Sequence, residues 1–341
     1  MKLLLLGPLP PPIGGATVLF KQLIDGLSDN SDIELKVIDT SAKAKIGKIK
    51  LFLSVLFSFL KQVKSVDVVS FHASLRGALL FSPFIFIVCK YYSKPWVFRG
   101  FGGNYPIWYQ GLPRILQWLL KSTLLSADVV LFETKESVGF FSRQAKGRVI
   151  WYPNSRKYSS VNNQSTELER LVYVSQIKPS KGIYVLLEAM RDIEGVYVDC
   201  YGPLSEGVKE GDFNGHNVNY KGVLNPDEVS SVLARYDALV FPTFYDGEGY
   251  PGVILESYCE GLPVITTNWR CIPELVDDSS GKLVEPENVE KLREAIIHMS
   301  KDEQYFLSLK EGAIKKAEFF AASYWENNFL DICRSLIVCD K

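Results

Sequence analysis

Along the chain, short apolar runs alternate with longer stretches whose apolar positions recur at helical spacing. A run of four to six apolar residues between turn signals suits a strand buried on both faces. An amphipathic stretch between two such runs completes a βα unit of a parallel sheet. In the first half this predicts strands at Lys2–Leu6, Leu35–Asp39, Val66–His72, Trp96–Arg99, Asp128–Glu133 and Val149–Trp151. Helices are predicted over Ala16–Leu27, Ile46–Val63, Leu75–Cys89, Pro113–Leu125 and Lys135–Phe141. The rhythm breaks after Pro153-Asn154, and Ser155–Thr166, rich in Ser and Asn, reads as a linker. It then restarts, with strands at Leu171–Val174, Val196–Tyr201, Val218–Tyr220, Ala238–Phe241 and Val264–Thr267 and helices over Ile183–Met190, Gly252–Cys259 and Val289–Met299. Asn225-Pro226-Asp227-Glu228 opens one more helix. Asn225 can cap it, Pro226 tolerates the first position, and Glu228 can close a capping box.

This pattern describes two doubly wound α/β domains in tandem, 1–157 and 158–319, with a last helix at about 320–341 packing back on the first. A length of 341 residues accommodates both, and 47% apolar with 23% charged content is ordinary for globular cores. The net charge of −1 removes any global attraction to nucleic acid, so no nucleic-acid partner is expected. Six cysteines are scattered without a Cys-x-x-Cys pair, which points to a reducing compartment and a cytoplasmic location. Met1–Gly7 is too short an apolar run for a leader and reads as the first strand. Leu51–Leu60 and Ala78–Cys89 fall short of the ~20 residues of a spanning helix.

Ligands of doubly wound sheets bind beyond the carboxyl ends of the strands. The most informative such stretch is Asp246-Gly247-Glu248-Gly249-Tyr250-Pro251-Gly252-Val253-Ile254-Leu255-Glu256, which follows a strand and opens a helix. The free N–H groups of Gly252, Val253 and Ile254, together with the helix dipole, can hold a phosphate without a cationic side chain. Glu256 lies one turn deeper on the same face, where its carboxylate can accept from both hydroxyls of a ribose. Glu248, on the loop, can accept from sugar hydroxyls beyond the phosphates. Taken alone, two glutamates eight positions apart are better read as solvated acids favoured by a helix start; the intervening Gly-Tyr-Pro-Gly and the strand–loop–helix context favour the binding reading.

Glu248 and Glu256, with Gly249, Pro251, Gly261-Leu262-Pro263-Val264-Ile265, Pro273-Glu274-Leu275-Val276 and Gly281-Lys282-Leu283-Val284, resemble the signature of the family 4 retaining glycosyltransferases. The resemblance covers most of 171–300. It implies the GT-B fold, two Rossmann-like doubly wound domains facing across a cleft, with Glu256 on the nucleotide ribose and Glu248 on the transferred sugar. Val174-Ser175-Gln176-Ile177-Lys178-Pro179-Ser180-Lys181-Gly182 resembles the family block whose arginine and lysine clamp the donor diphosphate. Lys181 matches the lysine; Gln176 stands where the arginine is expected, which removes one charge from the clamp. Gly14-Gly15, after Pro10-Pro11-Pro12-Ile13, joins the first strand to the first helix and suits either a phosphate or a tight turn. In the resembled family this loop lines the cleft near the donor phosphates.

His72 ends a strand, where it can hold a sugar hydroxyl and act in catalysis, or be a satisfied strand-end histidine. His216 and His298 read as surface residues. The family often carries a His-Gly after the fourth strand. Here Arg99-Gly100-Phe101-Gly102-Gly103-Asn104 puts Phe101 in the histidine's place and leaves Arg99 or Asn104 for the sugar or acceptor contact. No Asp-x-Asp pair stands near a strand end, so no metal site and no cofactor are expected, with helix dipole and lysine in the cation's role.

The resemblance implies a hexosyltransferase that takes a UDP- or GDP-sugar as co-substrate. Its acceptor would be a saccharide or a lipid-linked saccharide of bacterial surface polysaccharide synthesis. Two other readings share the phosphate logic: a nucleotide-sugar epimerase of similar architecture, and a non-catalytic nucleotide-sugar-binding protein. Lys43, Lys45, Lys48, Lys50, Lys61 and Lys64, with no acid between 43 and 64, join an apolar helix carrying Phe52, Phe57 and Phe59. Such a segment suits peripheral attachment to an anionic membrane surface, or a Rossmann helix with solvated lysines.

Overall fold

The computed structural model describes residues 1–12, 14–41, 47–158, 163, 165–214 and 217–338. The expected linker Ser155–Thr166 and the lysine segment fall partly, and His216 wholly, outside the described residues. The chain divides into two compact units, Met1–Ser155 with Ala322–Lys341, and Arg156–Ala321.

The first unit runs β1 (Lys2–Gly7), α1 (Gly15–Ser28), β2 (Glu34–Asp39), α2 (Lys48–Gln62), β3 (Val68–Ala73), α3 (Leu75–Tyr91) and β4 (Trp96–Gly100). It continues through α4 (Tyr105–Gly111), α5 (Arg114–Ser122), β5 (Val129–Phe132), α6 (Lys135–Phe141) and β6 (Arg148–Trp151). All strands pair in parallel in the order β2-β1-β3-β4-β5-β6. Successive side chains of each strand leave opposite faces, so neighbouring residues enter two different cores. Leu4, Leu6, Val69, Phe71, Phe98, Val130 and Phe132 pack under α2, α3, α5 and α6, whereas Leu3, Leu5, Val68, Val97, Val129 and Leu131 pack under α1.

The second unit runs β7 (Arg170–Val174), α7 (Ile183–Ala189), β8 (Tyr197–Tyr201), β9 (Val218–Tyr220), α8 (Val229–Leu233), β10 (Ala238–Phe241) and α9 (Gly252–Cys259). It ends with β11 (Val264–Thr267), β12 (Gly281–Val284), α10 (Val289–Lys301) and α11 (Glu303–Phe319). The sheet is again parallel, in the order β12-β11-β10-β7-β8-β9. Ahead of α8 the Glu228 carboxylate accepts the Asn225 N–H at 2.8 Å, as a capping box requires. Beyond α11, α12 (Ala322–Val338) belongs to the first unit. Trp325, Phe329, Leu330 and Cys333 fill the core over α1's face of the sheet, and the Tyr152 hydroxyl donates to the Trp325 carbonyl at 2.9 Å.

Three elements lie outside the expected set: α4, β12 and α11. Among the described residues no helix is long and apolar enough to cross a membrane.

Candidate functional site

In the second sheet the strand order reverses at β7 and β10, and a doubly wound sheet opens its ligand crevice at such a switch point. The loops leaving these two strands bring Lys181 and Glu248 together. Lys181 Nζ lies 2.6 Å from Glu248 Oε2, with the two side chains 13% and 8% exposed. The Thr243 hydroxyl donates to the same oxygen at 2.8 Å. The ammonium also sits 4.8 Å over the Tyr245 ring and 5.3 Å over that of Phe241.

The loops can approach because Gly182 has φ 79°, and a Cβ there would fall 2.0 Å from the Pro242 carbonyl oxygen. Phe244 N–H to the Ser180 carbonyl (2.9 Å) and Tyr173 hydroxyl to the Lys181 carbonyl (3.2 Å) lock the contact. Lys178, which the sequence reading does not single out, is buried, paired with Glu206 at 3.0 Å and 4.2 Å over Tyr245. Gln176 is engaged elsewhere: its amide donates to the Ser205 hydroxyl at 3.3 Å. The loop before α9 is held by the Tyr250 hydroxyl on Glu274 (2.5 Å) and the Trp269 indole on the Tyr245 carbonyl (2.9 Å). The Pro273-Glu274 block thus serves to fix the Glu248 loop.

No side chain caps α9, which starts at Gly252 behind Pro251. Of the three donors expected at this helix end, that of Ile254 returns to the Pro251 carbonyl at 3.2 Å. The N–H groups of Gly252 and Val253 are the two that point onward, toward the helix's positive end. One turn in, Glu256 Oε1 accepts from Arg156 Nε at 2.8 Å, with side chains 29% and 14% exposed. A Cβ at Gly252 would lie 2.1 Å from Arg156 Nη2, so the guanidinium lies over the first residue of α9 and glycine makes the room. Arg156 is fixed by its backbone, whose N–H donates to the Phe320 carbonyl at 3.1 Å beside a bridge to Ala321. A cation is therefore present at the helix start although position 176 lacks one. Sequence reading misses Arg156 because it lies in a polar linker, a hundred positions from its partner.

In the first unit the expected residues fare differently. His72 is fully buried, its Nε2 2.9 Å from the Ser70 hydroxyl and its ring 4.9 Å from Phe20, 5.8 Å from Phe329 and 6.1 Å from Phe101. Burial, with the nearby Arg99 charge second, pushes its pKa well below the ordinary histidine value, so the ring is neutral. The ring that the sequence reading offers for catalysis thus lies against aromatic core, with no exposed surface of its own. Arg99, its register neighbour on β4, is 3% exposed and stacks 4.4 Å over Tyr152 and 5.0 Å over Phe101. Burial lowers its pKa, opposed by Tyr152 and Glu133. Phe101 is core, 4% exposed. Asn104 precedes α4 without capping it. Gly14 and Gly15 are exposed at the start of α1, and a Cβ at either would meet nothing within 4 Å. Internal packing thus does not demand glycine at either position. Among the described residues no three His, Cys, Asp or Glu side chains converge as metal ligands would.

A family model described as glycosyl transferases group 1 matches residues 169–302, the stretch that holds Lys181, Glu248 and Glu256. O-antigen chain mannosyltransferase B of Escherichia coli is 26% identical over 172 residues, covering 46% of this chain and 42% of that protein. The chain spans about half the length of the curated relatives it first matches. Sucrose-phosphate synthase from Thermosynechococcus elongatus has the same fold at 16% identity, with a TM-score of 0.74 over 99% of both chains. HepE of Anabaena, solved in complex with UDP, superposes with a TM-score of 0.73 at 17% identity, over 98% of this chain and 100% of its own. Residues 169–302 of the second unit thus match the glycosyl transferases group 1 family, and with two parallel six-stranded sheets the chain has the GT-B fold.

Proposed function

We propose that this protein is a retaining hexosyltransferase acting on a UDP- or GDP-sugar. The observation that carries the reading is the pair of cation–carboxylate contacts, Lys181 with Glu248 and Arg156 with Glu256, around the uncapped start of α9. The donor diphosphate accepts from the N–H groups of Gly252 and Val253, where the helix dipole favours negative charge. Lys181 turns from Glu248 to the phosphates and neutralises the charge that develops on the leaving diphosphate. Glu248, released, accepts from hydroxyls of the transferred sugar, while Glu256 accepts from the ribose and Arg156 supplies the second cation. Such charge-assisted hydrogen bonds are roughly twice as strong as neutral ones. HepE of Anabaena, crystallised with UDP-glucose, supports a uridine donor.

The O-antigen chain mannosyltransferase among the relatives supports a saccharide acceptor. On the proposed reading this acceptor is, in addition, lipid-linked and met at an anionic membrane surface from the cytoplasmic side. With two cations and a helix end in place, the reaction needs no divalent ion, and EDTA should leave turnover unchanged. Incubation with UDP- and GDP-sugars should release nucleoside diphosphate rapidly only when a saccharide acceptor is present, with the donor's anomeric configuration kept in the product. Conversion of the donor sugar without acceptor would establish an epimerase instead. Tight donor binding with no release under any acceptor would leave a binding protein.

A further inference from the structure

One layer of the first unit is apolar on both sides. The inner faces of α2, α3 and α5 bury Val55 and Phe59, Phe81 and Ile85, and Leu120 against the sheet. Phe52 of α2 stacks on Phe81 of α3 at 5.5 Å, so these helices lie side by side. Their outer faces are also apolar. On α2 the stripe is Ile49, Leu53, Phe57 and Leu60, with Phe57 71% exposed. On α3 it is Leu80, Ile87 and Tyr91; on α5 it is Ile115 and Trp118, 73% and 66% exposed. Nine of the sixteen large hydrophobic residues exposed among the described residues lie on these three helices, which sets them apart from singly scattered surface residues.

Charge frames each stripe. Exposed Lys50, Lys61 and Lys64 flank that of α2, Arg76 and Lys90 that of α3, and Arg114 and Lys121 that of α5. Between positions 43 and 127 stand twelve lysines and arginines and one acid, Asp67, in a chain whose net charge is −1. Asp67 accepts the Lys2 N–H at 2.7 Å, at the end of β1. Lys43 and Lys45 lie outside the described residues. An apolar face rimmed by basic residues, on helices too short to span a bilayer, fits an anionic lipid surface, with the apolar side chains entering the headgroup region.

We propose that the outer face of α2, α3 and α5 is a single membrane-docking surface whose partner is an anionic lipid bilayer, with Trp118 and Ile115 of α5 as anchors beside Phe57 of α2. This deepens the functional reading above, on which it rests for its purpose, and extends docking beyond the lysine segment to two further helices. Full-length protein is floated with vesicles of phosphatidylcholine alone and with one-third phosphatidylglycerol. Binding should require the anionic lipid. Arg114→Gln with Lys121→Gln should lower the vesicle partition about thirtyfold, at the usual contribution of a basic residue near an anionic leaflet. Ile115→Ser with Trp118→Ser should lower it at least as much, and Phe57→Ser severalfold, while Tyr197→Ser, on the second unit, changes nothing. All these side chains are exposed, so melting temperature and UDP affinity should match the unchanged protein. Equal binding to neutral vesicles, or full binding by the α5 variants, overturns the proposal. So does a dimer in lipid-free solution that the same variants abolish, since the face would then belong to a second copy. Failure to bind either UDP or GDP with vesicle binding intact would instead sink the transferase reading and leave the docking surface standing.

Discussion

Replacing Lys181 by alanine should destabilise the second unit before it says anything about chemistry. The ammonium neutralises a carboxylate that is 8% exposed, and its loss leaves Glu248 with the Thr243 hydroxyl at 2.8 Å. Removing one side of a buried pair costs about 3–5 kcal/mol, and the 13% exposure of Lys181 places this case near the lower end, about 3 kcal/mol. Glu248→Ala is milder. It leaves the ammonium over two aromatic rings at 4.8 and 5.3 Å, each worth about 0.5–1 kcal/mol, for a net loss of about 2 kcal/mol. The double variant holds no uncompensated charge and should be more stable than Lys181→Ala alone. For a domain of this size each kcal/mol moves the melting temperature by about 2–4 °C, so Lys181→Ala should melt about 6–12 °C lower. Calorimetry on the four proteins of this cycle measures the coupling directly. If the double variant loses the sum of the two single losses, the ion pair is not formed in solution. If it holds, transfer rates of Lys181→Ala are meaningful only well below its melting temperature.

Three further outcomes follow from the same geometry. Glu256→Ala should weaken uridine binding by roughly 10–100-fold, the worth of hydrogen bonds to a charged acceptor, but UDP binding by less, because it frees Arg156 for the phosphates; calorimetric titration showing equal losses would refute that exchange. Arg156→Ala should weaken UDP about tenfold and leave uridine unchanged, and an unchanged UDP affinity would remove Arg156 from the site. Lys181→Ala should lower the transfer rate more than Gln176→Ala, whose amide already serves Ser205 at 3.3 Å, and steady-state rates in the reverse order would count against the lysine's role.

The chain's periodicity shows most of the strands because each buried strand is a local run of apolar residues, and Asn225 to Glu228 is legible because a capping box is complete within four positions. β12 escapes it because Gly281-Lys282-Leu283-Val284 carries only two apolar residues in a row. α4 escapes it too, a seven-residue helix with Pro106 in its first turn. The glutamates around α9 are readable because the helix start itself marks the site. Their partners are not: Lys181 and Glu248 are 67 positions apart and Arg156 and Glu256 a hundred, and only the strand order decides that those loops meet. The burial of His72 is hidden for a related reason. Its place near the end of β3 is right, but α12, arriving from the far end of the chain, lays Phe329 against its ring. The stripe on α2 is visible in sequence, whereas its continuation on α5 needs the helices side by side.

The two charged regions should respond to salt in opposite ways, and this separates their physics. In the second unit each cation of the site faces a carboxylate, so the cluster of Lys181, Glu248, Arg156 and Glu256 is neutral overall. An incoming diphosphate is then not drawn by a net positive field. It exchanges partners with the glutamates at contact distance, in a partly buried setting that salt screens little. UDP affinity should therefore change less than about threefold between 0.1 and 1 M NaCl, where the Debye length falls from about 10 to 3 Å. On α2, α3 and α5 the exposed charges are basic without acidic partners on the same helices, and their attraction to a leaflet acts across solvent. Vesicle binding should fall by more than tenfold over the same range. A UDP affinity that drops tenfold or more with salt would mean that the glutamates do not compensate Lys181 and Arg156 in solution. The two pairs would then be open, and binding would begin from free cations instead of from an exchange.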